Sequence, residues 1–310
     1  MKLVVSSSPH LRAPETVRDI MFDVLTALFP VVLAGVAIFG YKAAITVSLT
    51  ALSAMVTEAV VLRNKNIIGD GSAAVTGVLL GLTLPPALPW WMAVFGAVVA
   101  ILIGKHVFGG LGNNLFNPAL VGRSILVISW AGPMTNWLSP VIFDGVSAAT
   151  PLAGGETNLF YMFTGHIPGS IGETSAVAIL LGALWLLYKG LISWHIPTGF
   201  VAAAFIMGGL FRGYGPTGMP EGFFAAGMFH VLAGGLLLGA FFMATDMVTS
   251  PITRKGQLIY GVGCGVITML IRFFGGFPEG VTFGILLMNG ATPLIDHLTI
   301  PRRFGEVRGI

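Results

Sequence analysis

The stretch Phe143-Asp144-Gly145-Val146-Ser147-Ala148-Ala149-Thr150-Pro151-Leu152 is a run of polar and small residues in a largely apolar chain. Asp-Gly followed by Ser and two Ala before Thr-Pro reads as a turn-rich loop, where small side chains let another group come close to the backbone. A second polar island, Pro168-Gly169-Ser170-Ile171-Gly172-Glu173-Thr174-Ser175, stands just before an apolar run. A helix start there would offer free N–H groups to an anion such as phosphate, and the same residues equally describe ordinary helix capping. A third island is Gly112-Asn113-Asn114-Leu115-Phe116-Asn117-Pro118. Among ionisable residues in or beside apolar windows, Asp70 in Gly69-Asp70-Gly71-Ser72 and Asp246 in Ala244-Thr245-Asp246-Met247 have small polar neighbours, suited to hydrogen-bonding a ligand or serving a cation. Glu58, Arg123, Arg272 and Asp296 read as interfacial.

Other chemistries find little support. His10, His106, His166, His195, His230 and His297 lack the i, i+3 or i, i+4 pairing of a helical metal or haem site. There is no phosphate-binding P-loop, no nucleophile elbow and no zinc-protease helix motif, so hydrolytic or ATP-driven chemistry has no basis. Cys264 is the single cysteine. An internal disulfide or a four-cysteine iron–sulfur site cannot be built from this chain, and any redox centre must be organic or shared.

The elements that position these residues follow from composition. The chain has 310 residues, 55% hydrophobic and 9% charged, far from the roughly 25% charged residues of a soluble domain. It reads as an all-α polytopic membrane protein with about ten spans of about 20 residues each. Apolar windows lie at 22–40, 43–62, 72–88, 90–108, 115–131, 174–189, 190–211, 225–243, 257–274 and 279–296. No cleaved signal peptide is apparent at the start of the sequence.

With a cytoplasmic amino terminus, alternation collects Lys2, Arg12, Arg18, Arg63, Lys65, Lys105, Arg123, Lys189, Arg254, Lys255, Arg302, Arg303 and Arg308 on the inner side. Only Lys42, Arg212 and Arg272 remain outside. That is a positive-inside bias, and it explains the net charge of +3 without invoking nucleic acid as a partner. Both termini are then cytoplasmic, and the 132–173 connection, with Thr150, faces the periplasmic or outer side.

The chain divides into a first membrane repeat at 1–131, the outer connection at 132–173 and a second repeat at 174–310. Leu79-Leu80-Gly81, Phe108-Gly109-Gly110 and Asn117-Pro118-Ala119-Leu120 are echoed by Leu237-Leu238-Gly239, Phe274-Gly275-Gly276 and Asn289-Gly290-Ala291-Thr292-Pro293-Leu294. Five spans per half is an odd number, so the second repeat is expected to be inverted, with a ligand between the halves beside interrupted helices. Gly81-Leu82-Thr83-Leu84-Pro85-Pro86 and Thr249-Ser250-Pro251 sit in matching positions of the two halves and read equally as helix interruptions lining a polar cavity or as loop ends at the interface.

Together these residues resemble the RnfD/NqrB family, membrane subunits of ion-pumping respiratory complexes. Asp144-Gly145-Val146-Ser147-Ala148-Ala149-Thr150 is similar to the family's flavinylation motif, Asp-x-x-Ser/Thr-Gly/Ala-Ala-Thr, whose last threonine carries FMN through a phosphoester. The departure is Ala148, where glycine is common. The resemblance extends over residues 112–118, 169–175 and the tail Pro301-Arg302-Arg303-Phe304-Gly305, and the short amino terminus and that tail favour the RnfD branch. It implies that a separate flavin transferase moves FMN from FAD onto Thr150, and that Asp144 and Ser147 position the loop or touch the flavin. It further implies that Ala149, Asn117 and Gly172, Glu173, Thr174 and Ser175 belong to the cofactor environment. A second, non-covalent flavin such as riboflavin is allowed, with Asp70 and Asp246 near that flavin or an ion site. Partner subunits would pass electrons from reduced ferredoxin to NAD, coupled to Na+ or H+ movement across the bacterial inner membrane. Thr292 in Gly290-Ala291-Thr292-Pro293 is a look-alike without the acidic residue six positions earlier, where Leu286 stands. The rival reading is a urea-transporter-like channel or carrier of small polar solutes, since fold alone does not decide function.

Overall fold

The computed structural model describes residues 15–63, 69–140, 149–155, 158–214, 219–275 and 279–301. Among these the regular structure is helical. In chain order the helices are α1 (Val17–Phe39), α2 (Tyr41–Val61), α3 (Ser72–Leu82), α4 (Trp90–Ile101, continued by a π turn at Leu102–His106) and α5 (Pro118–Ser129). Then follow α6 (Ala131–Met134), α7 (Leu159–Thr164), α8 (Ala176–Tyr188), α9 (His195–Leu210), α10 (Phe223–Leu232), α11 (Leu236–Leu238, continued by a π turn at Gly239–Met243), α12 (Arg254–Phe274) and α13 (Val281–Thr299).

Helix starts follow local chemistry. Thr16 and Asp19 close a reciprocal capping box on α1, Asn117 caps α5 ahead of Pro118, Ser175 caps α8 and Thr253 caps α12. Each supplies an oxygen to N–H groups that the helix itself cannot satisfy. Every apolar window of the sequence contains a helix. Among the described residues, α1, α2 and α12 are long and apolar enough to cross a membrane alone, and α10 with α11 is so only as a pair, bent at its break. The helices α3, α5, α8 and α9, and α4 with its π turn, are apolar but shorter, at 10–17 residues.

Packing in the two halves follows one plan. Helix α2 lies on α3 and α4, and α4 on α5; correspondingly α9 lies on α10 and α12, and α12 on α13. Helices α1 and α8 pack on each other between the halves. Small residues allow these close approaches: a methyl on Gly77 would meet the α2 backbone at Ala51 at 2.6 Å, and one on Gly265 would meet the Phe200 carbonyl of α9 at 2.7 Å.

Pro85, Pro86 and Pro251 lie in the connections that join α3 to α4 and α11 to α12, as ordinary ends of helices. The sharp interruption of the second half falls instead at Ala233-Gly234-Gly235, where the axis turns by 67°. Gly234 and Gly235 both have positive φ, 66° and 63°, a pair of left-handed positions that only glycine adopts cheaply. Carbonyls freed by the bend are taken up by Arg272 of α12, which donates to His230 O at 2.6 Å, Ala233 O at 2.8 Å and Gly234 O at 3.1 Å. At the end of α3 the backbone does the same work: the Gly172 and Ile171 amides donate to Leu82 O at 2.7 Å and Leu84 O at 3.2 Å.

These buried polar groups set measurable stabilities. Arg272→Met strands the three carbonyls, each worth about 1–3 kcal/mol when buried and unpaired; the thermal midpoint of the detergent-solubilised protein should fall, and Arg272→Lys should recover only part of it. Lys105, 2% exposed, forms an ion pair from the end of α4 with Glu58 of α2. Lys105→Met should cost about 3–5 kcal/mol by leaving a buried carboxylate alone, and the neutral pair Glu58→Gln/Lys105→Met should recover most of the loss in the same melting assay.

Candidate functional site

Thr150 is buried, 4% exposed, and precedes a single 3-10 turn at Pro151–Ala153. Pro151 at the first position fixes that turn, and the Thr150 carbonyl accepts from the Ala153 and Gly155 amides, both at 2.9 Å. Its side chain lines a cavity of about 300 Å³. The walls come from α5 (Arg123, Val127), α6 and the residues after it (Met134, Thr135, Trp137), the Thr150 loop (Ala149, Ala153) and the start of α13 (Glu279, Thr282, Phe283). Arg123 makes an ion pair with Glu279. Leu152, two residues on, presses against Gly234, so the loop leans directly on the bend that Arg272 holds.

Asp144 and Ser147 lie outside the described residues. Ala149 lines the cavity beside Thr150. Gly172, Glu173, Thr174 and Ser175 do not line it. Gly172 is packed against α3, where a methyl would sit 2.7 Å from Leu82 Cβ, and Ser175 accepts from the Ala178 amide at 3.4 Å as the cap of α8. Capping by Ser175 is the part of this island that the geometry shows. Glu173 bonds to the Ser170 hydroxyl and lies within electrostatic reach of both Arg123 and Arg272. It therefore balances charge behind the cavity without facing it.

The charge pattern groups Arg123 with the inner-side residues; in the structure it lies partway along α5. Six residues of α5 separate it from the cap Asn117, a rise of about 9 Å, which carries it away from Lys105 and onto the Thr150 cavity wall.

A second cavity, of about 110 Å³, lies at the other end of α5. Asn117, Asn114, Ser72, Lys105, Thr245 and Asp246 line it together with apolar residues of α1, α3 and α8. Asn117, expected in the cofactor environment, belongs here rather than with Thr150. Asp70 joins through Ser72, whose hydroxyl and amide donate to its carboxylate at 2.5 and 2.9 Å, while Lys105 donates to the same hydroxyl at 2.5 Å. Both acids sit in connections outside the helices. Burial pushes the Asp70 carboxyl up, but the hydrogen bonds from Ser72 and the charge of Lys105 outweigh it, leaving the carboxyl below its ordinary value. For Asp246 burial wins over its hydrogen bonds to Val248 and Thr249 and over Lys105, and the carboxyl lies above its ordinary value. Two acids around one lysine are thus driven apart in acidity.

A polar link at Asn117 joins the two halves, and the sequence shows it only as a match between repeats. Asn117 donates to Met243 O at 3.2 Å. The Asn289 amide, oriented to satisfy its neighbours, accepts from the Asn117 amide at 3.0 Å and meets the Tyr260 hydroxyl. The look-alike Thr292 is buried in α13 and donates to Thr249 O at 2.9 Å and Met288 O at 3.1 Å, a helix-to-loop tie. Asp296 accepts from the Ile252 amide at 3.0 Å, anchoring the same loop. Glu279, Trp137 and Phe283 escape a reading of the sequence because they carry no spacing signal.

Residues 4–305 match the family model described as NQR2, RnfD, RnfE family. Among curated relatives, a component of the Na(+)-translocating ferredoxin:NAD(+) oxidoreductase complex of Acetobacterium woodii is 46% identical, covering 99% of this chain and 97% of the relative. The corresponding component of the proton-translocating ferredoxin:NAD(+) oxidoreductase complex of Clostridium ljungdahlii is 47% identical, covering 98% and 96%. That of the ion-translocating oxidoreductase complex of Stutzerimonas stutzeri is 40% identical, covering 94% and 93%. Motifs, helical membrane architecture and whole-length likeness converge, and the chain belongs to the NQR2, RnfD, RnfE family.

Proposed function

We propose that the chain is the membrane-embedded electron-transfer subunit of an ion-pumping ferredoxin:NAD+ oxidoreductase, carrying FMN covalently on Thr150 through a phosphoester. The observation that carries this reading is the placement of the buried Thr150 on a cavity walled largely by aromatic and apolar side chains with one ion pair. Its volume falls within the range of small-molecule sites. When bound, the flavin supplies one- and two-electron chemistry. Trp137, Phe283, Met134 and Val127 offer its ring an apolar wall, and Arg123 offers its phosphate a cation. Thr150 itself is an acceptor for a separate flavin transferase and does no catalysis.

The remaining assignments extend the same reading. The two halves are inverted five-helix repeats, supported by their matching packing plan, in a bacterial inner membrane with both termini cytoplasmic and Thr150 on the periplasmic side. The cavity at Asn117, Lys105 and Asp246, about 110 Å³, suits an ion site; a second, non-covalent flavin such as riboflavin would have to widen it. Relatives of nearly equal identity are named for Na(+) and for protons, so the coupling ion is either of these. Other subunits of the complex supply the electron path from ferredoxin to NAD.

Co-expression with a flavin transferase, followed by a denaturing gel, should give a fluorescent band. Thr150→Ala should lose that fluorescence and Thr292→Ala should keep it. A dark full-length wild-type band would defeat the redox reading in favour of a channel or carrier, and fluorescence surviving Thr150→Ala would move the site. In the assembled complex, Asp70→Asn/Asp246→Asn should reduce ion transport per electron transferred; unchanged ion-coupled turnover would remove both acids from the ion path.

A further inference from the structure

We infer that the Arg123–Glu279 pair is a cradle for a phosphoribityl chain: Arg123 is the counter-ion of the phosphodiester on Thr150, and Glu279 accepts a hydrogen bond from a hydroxyl of the adjoining polyol. This inference rests on the reading of Thr150 as the flavin anchor and adds the residues that hold the tether.

Attachment sets the electrostatic requirement. The Thr150 Oγ–P bond forms as the phosphoanhydride bond of FAD breaks, AMP departs and the hydroxyl proton is released. What remains is a phosphodiester with one negative charge, esterified to a side chain that is buried. An anion in such surroundings is costly without a cation and hydrogen-bond donors. Among the described residues lining the cavity, Arg123 is the one cation.

The neighbouring guanidinium is already committed. Arg272 donates to the carbonyls of His230, Ala233 and Gly234 and, at 3.4 Å, to that of Glu279. Arg123, by contrast, has Glu279 as its hydrogen-bond partner among the described residues, through a single nitrogen, and a guanidinium has five N–H donors in a planar fork suited to phosphate. Its side chain, 8% exposed, lines the cavity.

Glu279 has the complementary capacity. Its Oε2 meets Arg123, while Oε1 is buried without a partner, and a buried carboxylate oxygen left so is unusual. The pair therefore offers spare donors on one side and a spare acceptor on the other. An anionic ester followed by a chain of hydroxyl groups matches that order. The four charges of the region among the described residues, Arg123 and Arg272 against Glu173 and Glu279, cancel before attachment, so the incoming negative charge draws on Arg123 and loosens its hold on Glu279 without expelling it.

The test uses the full-length chain co-expressed with the transferase, with covalent flavin measured by intact mass and stability by thermal midpoint. Wild-type protein with flavin should melt about 3 °C or more above Thr150→Ala. In Arg123→Gln/Glu279→Gln, which leaves no lone buried charge, that gain should vanish, while its melting in the Thr150→Ala background stays close to the parent. Failure of the neutral pair to take up flavin with its unloaded fold intact supports the inference as well. Arg123→Lys, keeping charge but not the fork, should retain part of the gain. A full gain in the loaded neutral pair overturns the cradle alone. Absence of covalent flavin from the wild-type chain overturns the Thr150 reading and the cradle with it.

Discussion

A helix that ends inside a bilayer leaves carbonyls that only protein can satisfy, and this constraint organises the molecule. Arg272 answers it at the α10–α11 bend, the Ile171 and Gly172 amides answer it at the end of α3, and Asn117 answers it at Met243. Each solution ties one half of the chain to another element far away in sequence. The same donors that make the breaks tolerable therefore also fix where the cavities lie.

Helix α5 is the ruler between those cavities. Its first turn, capped by Asn117, faces the pocket that holds Lys105 and Asp246, and its second and third turns present Arg123 and Val127 to Thr150. A single rigid element thus sets the separation of the two candidate sites. Glu173 behind it keeps the two arginines near neutrality, which lets apolar and aromatic groups dominate the cavity beside Thr150.

The class of fold was legible because hydropathy and charge asymmetry act over whole windows, and each apolar window contains a helix. Thr150 stood out because its loop is chemically unlike its surroundings, and a cavity lies beside it. The flanking Asp144 and Ser147 lie outside the described residues. The bend at Gly234-Gly235 was not read from the sequence, although two adjacent glycines among leucines were there to be seen; proline is the sharper local signal, yet Pro85 and Pro251 only end helices. Pairings across long chain separations, such as Arg123 with Glu279 or Lys105 with Glu58, have no local signature. The Ser175 cap did have one, although capping and anion binding share the same free N–H groups.

The pairing of Arg123 with Glu279 bridges 156 positions, and that distance has a consequence for biogenesis. A ribosome delivers α5 to the membrane long before α13 has been made. Until then Arg123 lacks the carboxylate that its guanidinium bonds, with Glu173 ahead of α8 as the earlier counter-charge; a charge at a helix centre burdens insertion by about 2.5–3.5 kcal/mol. The helix is best kept near the insertion machinery or near the water interface until the last span arrives to pair with it. Closure of the Thr150 cavity and release of the finished bundle into lipid are then one event, timed by the final helix.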